Sequence, residues 1–208
     1  MTDIISGKAV RTFVKFIHAR ERHRVAKETG RTPRPCDAII EKYRFCNVRR
    51  NDDRVTKFVH TWAFEEWCDS PSLWFALIVA RLFNLPSTLS SAQSAIIPFK
   101  PGKLRKLTRA SQDGGHNIFN AAYIVSTNGY SMNKVDYLID YVLSPAWERR
   151  RDIDAALVST TRLSDVHAVL MTLNGLSSFM AAQVVADLKY ADEARWEDFH
   201  TFAASGPG

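Results

Sequence analysis

The segment 44–58, RFCNVRRNDDRVTKF, places four arginines and two aspartates between apolar flanks. If the segment is helical, the i, i+4 spacing puts Arg50 and Arg54 on one face, with Asn47 three residues before Arg50. Guanidinium groups bind phosphate oxygens bidentately, and Asp53 is near enough in sequence to orient either arginine. The segment is therefore either a site that grips phosphate or a solvated, charged helix face.

A second candidate site is the turn LNGLSSFMA at residues 173–181. We expect one helix to end near Leu173, the chain to turn at Gly175, and a new helix to begin with Ser177 and Ser178. Backbone N–H groups at the start of a helix, together with the helix dipole, favour an anion such as a DNA phosphate. The alternative is an ordinary tight turn between two helices.

The cations are unevenly distributed along the chain. Residues 1–60 contain 15 Lys and Arg against 7 Asp and Glu, whereas from Glu148 onward there are 6 against 9. This asymmetry suggests a polyanion bound on one side of the protein. The basic segment 98–115 lacks strong periodicity and predicts a loop, which either touches DNA phosphates through Lys103 and Arg105 or is simply solvated.

Apolar residues recur at helical spacing along most of the chain, and alternating strand-like segments are absent, so we predict an all-α fold. It is expected to form a single domain over 1–208, as one body or as two packed lobes, with a hairpin at 163–190. The second helix would be capped by Asp37 and would carry Ile39, Ile40 and Tyr43. The other predicted helices cover residues 10–30, 55–67, 72–84, 88–96, 116–127, 131–143, 145–158, 163–172 and 177–190.

Several protein classes are disfavoured by composition. Three cysteines without a CxxC pair argue against a disulfide framework and a zinc site, and we expect neither a metal nor another cofactor. The longest apolar run, 72–86, is interrupted by Arg81 and is too short to span a bilayer, so no membrane partner is expected. The final residues, TFAASGPG, predict an ending in mid-loop and a longer natural protein.

The turn at 173–181 resembles the helix-hairpin-helix of DNA glycosylases, whose pattern is L-P-G-V-G-x-x-T-A. The positions that match in kind are Leu173, Gly175, Leu176 and Ala181, while Asn174 replaces the proline and Ser177 the second glycine. The resemblance implies a helix-hairpin-helix, glycosylase-like helical fold in which Gly175, Ser177 and Ser178 bind DNA.

The same resemblance points to a downstream carboxylate. Asp198 and His200 stand where glycosylases have an aspartate followed two residues later by histidine, and that aspartate helps to stabilise a cationic sugar. Phe179 occupies the position of the lysine used by bifunctional glycosylases, so Schiff-base chemistry is not available there. A monofunctional glycosylase acting through Asp198 remains an alternative.

The first segment and its surroundings resemble a phage thymine-hypermodification family that is related in fold to those glycosylases. This family contains the helical domain associated with 5-hydroxymethyluracil DNA kinases and the α-glutamyl/putrescinyl-thymine pyrophosphorylases. The resemblance covers roughly residues 13–208, including DGGHNIFNAAYIVSTNG, FMAAQVVADLKY and the terminal SGPG. The positions in the first segment that carry it are Asn47, Arg50, Asp53, Arg54 and Thr56.

The family implies hypermodification of a DNA base in the cytoplasm of a phage-infected bacterium. A 5-hydroxymethyluracil in double-stranded DNA is diphosphorylated, and an amine, often that of a free amino acid, then displaces pyrophosphate. In this setting Arg50 and Arg54 would neutralise the leaving diphosphate, and Asp53 would orient an arginine or accept a proton from the amine. Asp198 completes the candidate catalytic set.

Other polar residues are candidates for substrate binding. Asn120 and Tyr123 lie on a mostly apolar predicted helix, where they are equally well explained as core hydrogen-bonding groups. Gln183 and Asp187 share one face of the last long helix and either line a pocket or meet solvent. With Asn47, these four residues form the candidate substrate-binding set.

The sequence lacks a phosphate-cradling GxxxxGK[ST] loop, so the amine-transfer step is favoured over the kinase step. The leading hypothesis is a DNA transferase that releases pyrophosphate. The alternatives are a non-catalytic DNA-binding helical module that serves a separate kinase, a monofunctional glycosylase, and an unrelated helical protein.

Overall fold

The computed structural model describes residues 6–32, 38–121 and 126–204. Throughout these ranges the secondary structure consists of helices and turns, without a β-strand, and the predicted all-α class is confirmed. The chain divides into two compact units, Met1–Lys57 and Phe58–Gly208. We describe each unit by itself, and the single domain expected over 1–208 stays a prediction.

The first unit contains α1 (Gly7–Glu28), α2 (Ala38–Lys42) and a 3₁₀ turn (Arg50–Asp52). The Ser6 hydroxyl accepts a hydrogen bond from the Ala9 N–H (3.2 Å), which satisfies one of the orphan donors at the start of α1. Helix α3 (Arg54–Trp67) begins in this unit, and its residues from Phe58 onward belong to the second. The proposed cap Asp37 lies outside the described residues.

The second unit is built around α4 (Leu73–Phe83), in which every residue is buried. A helix that is apolar on all sides belongs inside a protein, and Asn84 ends this one in the left-handed conformation (φ 51°). Helix α4 packs chiefly against α11 (Ser178–Leu188), the last long helix. Helix α11 also packs against α10 (Leu163–Met171), the helix before the hairpin. The remaining helices are α5 (Pro86–Ala92), α6 (Pro101–Asp113), α7 (Lys134–Tyr137), α8 (Ser144–Glu148) and α9 (Arg150–Val158).

Most predicted helices are present, namely those near 10–30, 55–67, 72–84, 145–158, 163–172 and 177–190. The helix predicted at 88–96 is α5 followed by a 3₁₀ turn (Gln93–Ala95), and the one at 131–143 is α7 followed by a π-helical turn (Leu138–Leu143). A further 3₁₀ turn covers Glu193–Arg195.

Three predictions about secondary structure are wrong. The segment 98–115 is mostly helix α6 rather than a loop, because Pro101 starts the helix and Leu104 and Thr108 provide a buried face. Residues 116–121 are not helical, although Ile118 is buried. Residues 43–49 are also not helical, so the segment 44–58 is interrupted before the 3₁₀ turn and α3.

Candidate functional site

In the first unit, Asn47 is held by an arginine of α1. Arg20 donates through Nη2 to the Asn47 Oδ1 (2.9 Å) and to the backbone oxygen of Phe45 (3.0 Å). These two bonds fix the irregular segment after α2 to the second half of α1. The candidate substrate-binding residue Asn47 is therefore held by Arg20, an arginine of α1 that lies outside the segment 44–58.

One turn further along α1, Arg24 is surrounded by carboxylates. Its guanidinium contacts Glu21 (2.7 Å) and Glu28 (2.6 Å) on the same helix, and its Nε lies 3.3 Å from an Asp52 oxygen. The hydrogen bonds that Arg24 donates to Glu21 and Glu28 raise its pKa, and the bond with Arg24 lowers the pKa of Glu21 despite partial burial. Arg24 is thus a fixed positive charge that ties Asp52 to α1.

Asp53 caps a helix. Its backbone is extended (φ −75°, ψ 129°), and its Oδ2 accepts the N–H of Thr56 (2.8 Å) in the first turn of α3. This non-helical residue separates the 3₁₀ turn that begins at Arg50 from the helix that begins at Arg54. The expectation that Arg50 and Arg54 follow each other at i, i+4 on one helix is therefore wrong, and their catalytic roles stay predictions.

The strongest polar cluster of the second unit lies in its interior. Arg81 on α4 donates to both oxygens of Asp187 on α11, with Nε–Oδ2 at 2.5 Å and Nη2–Oδ1 at 2.6 Å. His60 on α3 places Nε2 3.1 Å from the Asp187 Oδ1, and Asn84 accepts a bond from Arg81 (3.2 Å). Because Asp187 is completely buried, the solvent-facing alternative for this residue is excluded.

Arg81 and His60 are members of this cluster that the sequence pattern did not predict as site residues. The available signal was the single charge inside the apolar run of α4, since a buried arginine requires an anionic partner. The ring of His60 stacks on Phe64 with centroids 5.0 Å apart, and Tyr190 lies 5.5 Å away. This network joins α3, α4 and α11 by charge as well as by apolar packing.

Asp198 also caps a helix. Its two oxygens accept the N–H groups of Leu163 (2.7 Å) and Ser164 (3.1 Å) at the start of α10. Burial raises the pKa of this carboxyl, but the two backbone bonds more than offset burial and hold the pKa below its ordinary value. The arrangement is fully explained by helix capping, and a catalytic role for Asp198 stays a prediction.

The predicted hairpin is present between α10 and α11. Gly175 has a φ of +79°, and a Cβ at this position would lie 2.6 Å from a methyl carbon of Val142. The Asn174 amide donates to the Tyr141 backbone oxygen (2.6 Å). Ser177 precedes the first turn of α11 without a side-chain capping bond. Phosphate binding by this turn stays a prediction.

On α6 the two predicted DNA contacts differ in environment. Arg105 donates to Asp136 (2.8 Å) and Asp140 (2.5 Å), and Arg109 donates to Asp136 (2.7 Å). Lys103 is exposed. The guanidinium of Arg105 therefore already pairs α6 with α7 and with the π-helical turn, whereas Lys103 is exposed to solvent.

The remaining substrate-binding candidates are Asn120, Gln183 and Tyr123. Asn120 is half-buried in an irregular segment and donates its backbone N–H to Phe83 (3.0 Å). Gln183 is half-buried on α11, one turn before Asp187. Tyr123 lies outside the described residues. Ser178 contacts His167 through its backbone oxygen (3.0 Å).

The described part of the chain has neither a metal-binding cluster nor a membrane-spanning helix. No group of three or more His, Cys, Asp or Glu side chains there could hold a metal ion. No helix within the same ranges combines the length and hydropathy needed to cross a membrane.

These observations define an all-α protein with a cationic first unit and a second unit built around a buried ion pair. The sequence model of the family described as "5-hmdU DNA kinase, helical domain" matches residues 7–208, and the chain belongs to this family. The resemblance stated from the sequence is confirmed, whereas the relation to helix-hairpin-helix glycosylases stays a prediction. Comparisons with curated proteins and with solved structures found no match.

Proposed function

We propose that this chain is a non-catalytic, DNA-binding helical module that holds DNA containing 5-hydroxymethyluracil for phosphorylation by a 5-hmdU DNA kinase. The observation that carries the proposal is the family match over residues 7–208. The natural setting would be the cytoplasm of a phage-infected bacterium, where such DNA is made.

The roles of the acidic residues support a binding module over an enzyme. Asp53 and Asp198 are the two carboxylates predicted to be catalytic, and each caps a helix, Asp53 by accepting one backbone N–H and Asp198 by accepting two. The two bonds to Asp198 hold its pKa below the ordinary value, which makes this carboxylate a poor proton acceptor. The sequence also lacks the phosphate-cradling loop expected of one kinase class.

The charge distribution supports DNA as the partner. The excess of cations in residues 1–60 favours binding to a polyanion, and each phosphate contact would release counterions from the duplex. We therefore expect affinity for duplex DNA that falls steeply as salt concentration rises.

The proposal is tested with a fluorescent duplex containing 5-hydroxymethyluracil and a matched thymine duplex, by anisotropy between about 50 and 200 mM salt. We expect salt-sensitive binding, and no phosphate transfer when the chain alone is given ATP and Mg²⁺. Absence of binding to any of these sequences, as duplex or as single strand, would contradict the module. Phosphorylation by the chain alone would contradict its non-catalytic nature.

Amine transfer is a second candidate, favoured by the anchored Asn47 on an arginine-bearing surface. The amine nitrogen would attack the 5-methylene carbon, the carbon–oxygen bond would break, pyrophosphate would leave, and the nitrogen would lose a proton. The test is incubation with DNA carrying 5-hydroxymethyluracil diphosphate and mixed amino acids, followed by nucleoside mass spectrometry. An amino-acid adduct would replace the first proposal, and abasic sites would instead indicate a monofunctional glycosylase.

A further inference from the structure

The first unit contains a cleft of about 590 Å³ between the second half of α1 and the segment that follows α2. Its lining has more cations than acids, with Arg20, Arg24 and Lys27 on α1 and Lys42 and Arg44 opposite, against Glu28 and Glu41. A cleft of this size is in the range that proteins use for ligands. Its charge indicates an anionic one.

Part of this charge is fixed and part faces solvent. Arg20 and Arg24 are held in place in the cleft wall, because Asn47 accepts a hydrogen bond from Arg20 and Glu28 pairs with Arg24 (2.6 Å). Lys27 and Arg44 are exposed, and neither forms an ion pair within the described residues. Two arginines held in place and two exposed cations beside them together suit a chain of phosphates.

Aromatic residues alternate with these cations in the sequence Lys42-Tyr43-Arg44-Phe45, whose residues 43–45 are not helical. Tyr43 is 55% exposed and Phe45 37% exposed, and both line the cleft. Exposed aromatic rings between basic residues form the stacking platforms of proteins that bind unpaired nucleic acid. Phe45 packs against Phe16 in a T-shaped arrangement, with ring centroids 5.1 Å apart.

Two polar atoms of the cleft wall are buried without a hydrogen-bond partner among the described residues. They are the Nε of Arg20 and the Nδ1 of His23, and both residues line the cleft. Buried polar atoms are nearly always satisfied, so unpaired ones point to a partner that binds there. This observation is independent of the surface charge.

We propose that this cleft binds an unpaired stretch of DNA, with phosphates on Lys27, Lys42 and Arg44 and bases stacked on Tyr43 and Phe45. The inference rests on the proposed function, because it assumes that DNA is the partner. A single strand is favoured over a duplex because stacking needs base faces that paired bases hide from side chains. An enzyme acting on a base also requires that base to leave the stack.

The test uses a fluorescent 12-residue oligothymidine and a duplex of the same length, with binding measured by anisotropy at several salt concentrations. Tyr43→Ala should weaken single-strand binding by about tenfold to a hundredfold. Tyr43→Trp should retain binding because it keeps a stacking surface. Arg44→Ala should lower the salt dependence of single-strand binding by about 0.7 in log–log slope.

Matched controls lie outside the cleft. Tyr130 is 49% exposed and Arg151 is exposed on α9, so Tyr130→Ala and Arg151→Ala remove the same groups elsewhere. Circular dichroism checks that every variant is folded. The inference is overturned if Tyr43→Ala and Tyr130→Ala bind the single strand equally, or if the wild-type chain binds only duplex. If the wild-type chain binds only duplex, the proposed function stands and only this inference fails. If it binds neither DNA, the proposed function and this inference both fail.

Discussion

Arg81 and Asp187 form a bidentate ion pair in the interior of the second unit, with Nε–Oδ2 at 2.5 Å and Nη2–Oδ1 at 2.6 Å. The two residues are 1% and 0% exposed and lie on α4 and α11. A buried charge is tolerated only when it is paired, so each residue requires the other.

Removing either partner of this pair should strongly destabilise the protein. Arg81→Met or Asp187→Leu removes the opposite charge from a buried group, and we expect the free energy of unfolding to fall by about 3–5 kcal/mol. The double variant removes both charges and should recover most of this loss. Urea unfolding measures all three, and additive losses in the double variant would contradict the coupling.

Asp198 should contribute stability that depends on pH. Its folded-state pKa lies below its ordinary value, so its contribution is present above the unfolded-state pKa of about 3.9 and is lost as pH falls through the folded pKa. Asp198→Ala should cost about 0.5–2 kcal/mol near neutral pH because α10 loses its cap.

Asp198→Asn is the matched control, since asparagine does not titrate and keeps one of the two acceptor oxygens. It should lose less stability than Asp198→Ala at neutral pH and should lose part of the acid dependence in urea unfolding. If the Asp198→Asn variant instead folds and binds DNA but has lost a base-modifying activity, we would infer that the carboxylate acts in catalysis.

Asp53 should be replaceable by another capping residue. Asp53→Ala is expected to cost about 1 kcal/mol of stability because the Thr56 N–H loses its acceptor, and Asp53→Ser should restore most of it. Thermal unfolding and DNA binding are measured together. If the serine variant is as stable as wild type yet inactive in amine transfer, Asp53 acts as a carboxylate and not only as a cap.

Gly175 should not accept a side chain. Gly175→Ala forces a left-handed residue (φ +79°) and brings a Cβ within 2.6 Å of Val142, so we expect a loss of about 1–2 kcal/mol or more. Gly102→Ala is the control, because nothing lies within 4 Å of a Cβ there and the position is helical. It should be neutral or stabilising by up to about 1 kcal/mol. Equal effects in urea unfolding would contradict the close approach.

Lys103 and Arg105 should behave differently in DNA binding. If α6 contacts phosphate, Lys103→Ala should weaken binding without changing base preference and lower the salt slope by about 0.9. Arg105→Ala should leave the slope nearly unchanged and cost up to about 1 kcal/mol of stability, because its guanidinium pairs with Asp136 and Asp140. A larger change of slope for Arg105→Ala would contradict this division.

Much of the helical framework follows from local sequence. The apolar runs of α4 and α11 predict their helices, because residues within a few helical turns of one another are enough to form a continuous apolar face or core segment. The capping role of Asp53 was also available locally, since its acceptor contact with Thr56 spans three residues. Family membership was likewise evident, from motifs spread along the chain.

The tertiary structure decided what the charged residues do. Helix α6 was missed because its cations conceal a narrow buried face formed by Leu104 and Thr108. The capping bonds of Asp198 join residues 34 and 35 positions apart, and the pairing of Arg81 with Asp187 joins residues 106 apart. The sequence determines where each charged side chain stands along the chain. The helices that pack around that side chain determine its partner, its burial and its ionisation.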